Sequence, residues 1–162
     1  MNQALATTDH HEIDAIASKD LESFVTFYIK GQMFGIPVLQ VQDILVPDRI
    51  ASVPLAPPEV KGSINLRGRI VTVVDVRVRL GLDKRDDDGV SMGVTIEQQN
   101  ELYTLLVDKV GDVIGLSKEY YENSPSTLDP LWREFASGVY RLDDKLLVVL
   151  DVGNLLDMVK EE

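Results

Sequence analysis

Residues 60–77, VKGSINLRGRIVTVVDVR, decide the fold. They read as two apolar strands joined by a tight turn at Arg67-Gly68, ending on Asp75. The same pattern returns 76 residues later without a gap. Gly62 maps to Gly138, Ile64 to Tyr140, Leu66 to Leu142, Ile70 to Leu146, Val73 to Val149, Asp75 to Asp151 and Val76 to Val152. A repeat of this length predicts two copies of one small β unit rather than one large sheet.

Working outward, Phe24–Ile29 and Phe34–Ile36 flank the turn residues Lys30-Gly31-Gln32 and read as a hairpin. Pro37 suits the first position of a short helix, with Val38, Val41, Ile44 and Leu45 on one face and Pro47 as its stop. The proline-rich 53–59, VPLAPPE, is an extended loop. Asp75 is placed to cap a helical turn that Gly81 would end.

Residues 83–89, DKRDDDG, form a charged loop and the expected boundary between halves of about 22–85 and 90–152. Beyond it the plan repeats, with strands at 91–97 and 102–107 in which Phe34 and Val38 map onto Tyr103 and Val107. Val110-Gly111-Asp112-Val113 echoes Val41-Gln42-Asp43-Ile44. A longer connection, 118–134, carries Pro125 and Pro130, with Trp132 and Phe135 as its anchors. The hairpin 139–150 follows, and Asp151 would cap a C-terminal helix through Leu155, Leu156 and Val159. The expectation is a mainly β chain with two small barrels, a polar tail over 1–21 and a short end at 158–162. Exchange of strands between the copies is left open.

The chain has 162 residues, no cysteine and a formal net charge of −11. It therefore carries no thiolate metal site or redox motif, and its acidity opposes non-specific nucleic-acid or anionic-membrane binding. No stretch approaches the roughly 20 apolar residues of a membrane-spanning helix, and the first 20 residues lack the pattern of a secretory signal. The two histidines, His10 and His11, fall in the tail. Serine–histidine and cysteine–histidine nucleophile pairs therefore cannot be built in the folded region. Phosphate-cradling glycine motifs are missing, and the acidic loop fails the EF-hand spacing. No cofactor is expected. Asp43, Asp75, Asp108, Asp112 and Asp151 have simpler roles as caps or turn residues.

What remains is a binding surface. Arg67 sits at a hairpin tip where turn chemistry favours Asn, Asp or Gly. A solvated arginine and a bidentate carboxylate contact are both open readings, with Asp43 a reasonable intramolecular partner. A different class, a ligand-binding or enzymatic β domain with a pocket between the barrels, would need convergent polar groups. The strand pattern shows none.

The run KGSINLRGRIVTVVDVR closely resembles the pattern G-x-x-N-L-R-G-x-[IV]-x-P-[IV]-x-[DN]-[LV]-R of the chemotaxis coupling proteins of the CheW type, with Thr72 in place of the usual proline. FGIPVLQVQDIL is similar to that family's Y-G-[IL]-x-[IV]-x-x-V-x-E-[IV], with Asp43 in place of glutamate. The likeness covers about 22–157. It implies two five-stranded barrels around a shared core and no catalysis. It also implies a cytoplasmic scaffold joining chemoreceptor tips to the regulatory domain of a CheA-type histidine kinase, with neither nucleic acid binding nor membrane insertion. By the same resemblance Val41, Asp43, Asn65, Leu66, Arg67 and Gly68 lie at or near partner-binding surfaces. The receptor is expected in a groove between the barrels, and the kinase at the exposed end of the first.

Overall fold

A computed structural model describes residues 21–83, 91–123 and 128–157, apart from the side chain of Leu131. Most of the tail with its histidines, residues 84–89 of the charged loop, Pro125, Val159 and the 158–162 end lie outside the described residues.

Among the described residues eleven strands run in the order β1 (Leu21–Ile29), β2 (Gln32–Pro37), β3 (Val41–Leu45), β4 (Val60–Leu66), β5 (Arg69–Asp75), β6 (Met92–Gln98), β7 (Glu101–Val107), β8 (Lys109–Ser117), β9 (Tyr121–Glu122), β10 (Ala136–Arg141) and β11 (Leu146–Leu150). Three one-turn helices join them: α1 (Val76–Arg79), α2 (Pro130–Arg133) and α3 (Val152–Leu155). The first three hairpins turn on Lys30-Gly31, Arg67-Gly68 and Gln99-Asn100, every one of these residues at positive φ. Two successive positive φ values match the right-handed twist of the flanking strands.

The strands form two sheets, β8-β1-β2-β11-β10-β9 and β3-β6-β7-β5-β4. The halves of the chain are therefore not the sheets. The β1–β2 hairpin joins the second-half strands, while β6–β7 completes the sheet of β3–β5. The exchange obeys the internal symmetry. Phe34 pairs in parallel with Val148, and its counterpart Tyr103 pairs in parallel with Thr72. The bulges repeat as well, falling at Val60/Gly62 and at Ala136/Gly138.

The loop beyond β3 lies along the far edge of its sheet. Past β3 the chain returns to β4, where Ala51 and Ser63 exchange backbone hydrogen bonds of 2.8 Å. Leu45 of β3 and Leu66 of β4 pack on the same interior cluster of Ile64, Val71, Val73 and Leu106. In the other barrel, β9 plays the part of Ala51 and makes that sheet six-stranded rather than five. Its interior holds Phe24, Met33, Tyr140, Leu147 and Val149. A third cluster lies between the barrels and draws on both sheets, including Phe27, Phe34, Val74, Val94, Leu105, Val148 and Leu156. Burial on this scale, at about 25 cal/mol per Å² of apolar surface, supplies the main folding force. Trp132 sits edge-on to Phe34 and Phe135 is buried, so the anchors of the 118–134 connection face this core.

One expected element is different. Residues 38–45 are not a helix: Val38–Gln40 make a single 3-10 turn and Val41–Leu45 is the edge strand β3. The apolar spacing of Val38, Val41 and Ile44 imitates a helical face, but it runs across the 3-10 turn and into β3, where pairing shifts register between Val41 and Asp43. Burial within β3 still alternates, with Val41, Asp43 and Leu45 half-buried and Gln42 and Ile44 exposed. Ile44 consequently faces outward, 41% exposed.

Candidate hairpin-tip docking site

The β4–β5 turn is built from its own sequence. Asn65 at the end of β4 accepts the Gly68 N–H on its side-chain oxygen at 3.0 Å, which staples the turn from within. Gly68 has φ +85 and open space around its missing Cβ. Arg67 has φ +54, a left-handed conformation that a long side chain adopts only at a cost.

This turn geometry sets the guanidinium beside β3. Arg67 Nη2 lies 2.9 Å from Asp43 Oδ2, the arginine side chain 74% exposed and the aspartate 23%. The other Asp43 oxygen accepts the Ile44 N–H at 2.9 Å. The shorter acid reaches the arginine from a strand lying alongside the turn, so the pair bridges two strands that sit at opposite edges of the sheet order.

The structure thus brings together Asp43, Asn65, Arg67 and Gly68. Val41 and Leu66 lie on the adjoining strands. Val41 is half-buried against the inter-barrel core and Leu66 half-buried against the barrel interior. Two exposed apolar residues that sequence pattern alone does not single out, Ile44 and Ile70, lie near the ion pair. Ile44 follows Asp43 directly, and Ile70, 80% exposed, is the cross-strand neighbour of Asn65. The counterpart of Ile70, Leu146, packs against the shared core while Ile70 stays in solvent, a difference that the repeat of two apolar residues does not show. A fixed charge pair between two exposed β-branched side chains is equipped to dock a protein surface that offers both apolar area and polar partners.

The pattern does not recur on the second barrel. Asp43 maps to Asp112 and Arg67 to Asp143, so the corresponding tip has two acids in place of an ion pair. No group of three or more metal-ligating side chains occurs among the described residues. The space between the barrels, where a ligand pocket was the competing expectation, is filled by the apolar core.

The fold defines a two-barrel β domain. The chain belongs to the CheW-like domain family, whose model matches residues 23–160. It is 28% identical over 135 residues to the chemotaxis protein CheW of Klebsiella aerogenes, covering 83% of this chain and 81% of that one. It is 24% identical over 153 residues to the chemotaxis protein CheW of Treponema pallidum, covering 92% and 90%. The crystal structure of the scaffolding protein TtCheW from Thermoanaerobacter tengcongensis superposes with a TM-score of 0.72 at 28% identity, over 80% of this chain and 88% of that one.

Proposed function

We propose that this protein couples chemoreceptor cytoplasmic tips to the regulatory domain of a CheA-type histidine kinase, as a scaffold without turnover. The observation that carries this reading is the family match over 23–160, which takes in both barrels and the tip. No described helix is long and apolar enough to cross a membrane. A coupler of this kind works in the cytoplasm and meets the membrane array through its partners.

The tip formed by Asp43, Asn65, Arg67 and Gly68, with Ile44 and Ile70 beside it, contacts one of the two partners. Coupling then follows from differential binding. A receptor shift alters the kinase only as far as the held partners prefer one conformational state over the other. The test is to measure binding to a receptor cytoplasmic fragment and to the kinase regulatory domain separately, for wild type and Arg67→Glu. Loss of one affinity with the fold intact supports the site. Two unchanged affinities refute the site, and a wild type that binds neither partner refutes the coupling function.

A further inference from the structure

The chain passes between the barrels twice. The first passage is the turn Val38–Gln40 and the second is a single residue, Asp108, between β7 of one sheet and β8 of the other. The internal repeat places Leu39 and Asp108 at equivalent positions. Leu39 is 91% exposed, whereas the Asp108 side chain is 17% exposed and gripped. Arg77 of α1 meets it fork to fork, Nε to Oδ1 at 2.9 Å and Nη2 to Oδ2 at 2.8 Å. The same Oδ2 accepts the Lys30 N–H at 2.8 Å from the β1–β2 turn. One carboxylate therefore ties the β1–β2 hairpin of one barrel to the helix that leaves β5 of the other. Arg77 Nη1 also donates to the Asp83 carbonyl at 3.1 Å.

A second tie starts from the same helix. Arg79 donates to the Leu155 carbonyl at 2.7 Å and the Asn154 carbonyl at 3.0 Å, the free end of α3, and lies 4.8 Å over the Phe135 ring. Arg77 and Arg79 map to Gly153 and Leu155 in the second copy. Both ties thus come from one copy only, and the positions around Leu39 cannot reproduce them.

We propose that Arg77 and Asp108 form a strut that fixes the angle between the barrels, and that coupling depends on this angle. The first half stands on the geometry alone, and the second rests on the coupling function proposed above. A bidentate, largely desolvated pair holds direction as well as distance, which suits a strut. Arg77 is on this view a positioning residue that touches neither partner.

The experiment uses the absence of cysteine. Lys61→Cys on β4 and Lys118→Cys beyond β8, both exposed, carry spin labels on opposite barrels of the full chain. The inter-label distance distribution is then measured by double electron–electron resonance. Asp108→Asn broadens or shifts it, and the swap Arg77→Asp with Asp108→Arg narrows it again. A width and mean equal to the wild type in folded Asp108→Asn overturn the strut. Were that variant to unfold, Arg77→Lys, which keeps the charge and loses the fork, is read by the same criterion. In reconstituted receptor–kinase complexes Asp108→Asn lowers kinase activation about fivefold or more, while its affinity for each isolated partner is unchanged. Full activation with a broadened distribution overturns the second half. A wild type that binds neither partner overturns the function and leaves the strut standing.

Discussion

Arg67→Asn removes a side chain that the fold holds under strain. The wild-type residue has φ +54 at the first turn position, where a left-handed conformation costs an ordinary L-residue about 1–2 kcal/mol and asparagine much less. Against this stands the pair with Asp43, whose arginine side chain is 74% exposed. Exposed ion pairs contribute about 0–1 kcal/mol. The strain wins, and the variant is expected to gain about 0.5–1 kcal/mol. For a chain of this size that is a rise in Tm of roughly 1–4 °C. Thermal and urea unfolding followed by circular dichroism measure it. The same substitution weakens partner binding, because the guanidinium is gone. A Tm several degrees below wild type would refute the reasoning, since the ion pair would then outweigh the backbone strain.

Other positions give equally direct tests. Gly138→Ala sets a Cβ into the Tyr121 ring, and overpacking of this kind lowers stability by about 1–3 kcal/mol in denaturant titrations. Thr95 and Thr104 share a buried hydroxyl hydrogen bond of 2.7 Å. Thr104→Val alone costs about 1–3 kcal/mol, whereas the double change to valine is nearly neutral, a contrast that a double-mutant cycle reads. Burial raises the Tyr140 phenol above its ordinary value, with the Glu22 carboxylate adding to it. Its contribution to stability is therefore complete below about pH 10 and lost as pH rises through the folded value. Tyr140→Phe should flatten that alkaline loss, and an unchanged slope would contradict the assignment.

The hairpins and the repeat were legible in the sequence because they rest on local chemistry. Gly62 and Gly138 both lie at bulges where an added Cβ would strike a neighbour, Ala51 or Tyr121. Asp75 accepts the Arg77 N–H and Asp151 the Asn154 N–H, so the two caps follow from residue type alone. The β3 strand was not legible. Val38, Val41, Ile44 and Leu45 carry a helical spacing that runs across a 3-10 turn and a strand, and it outweighed the β-branched Val41 and Ile44. Strand exchange was hidden for a different reason. In a duplicated chain either hairpin satisfies either barrel, so local pattern is silent on which one does. At the tip, residue type pointed to Arg67 and Asp43, while Ile70 looked like any other alternating strand residue. Its 80% exposure is set by tertiary packing.

Kinase autophosphorylation in a reconstituted mixture of receptor, CheA-type kinase and this chain tests the central claim most directly. Receptor-dependent activation should require the wild-type chain and fail with Arg67→Glu at equal fold stability. Activation that is the same with and without the chain would contradict the account.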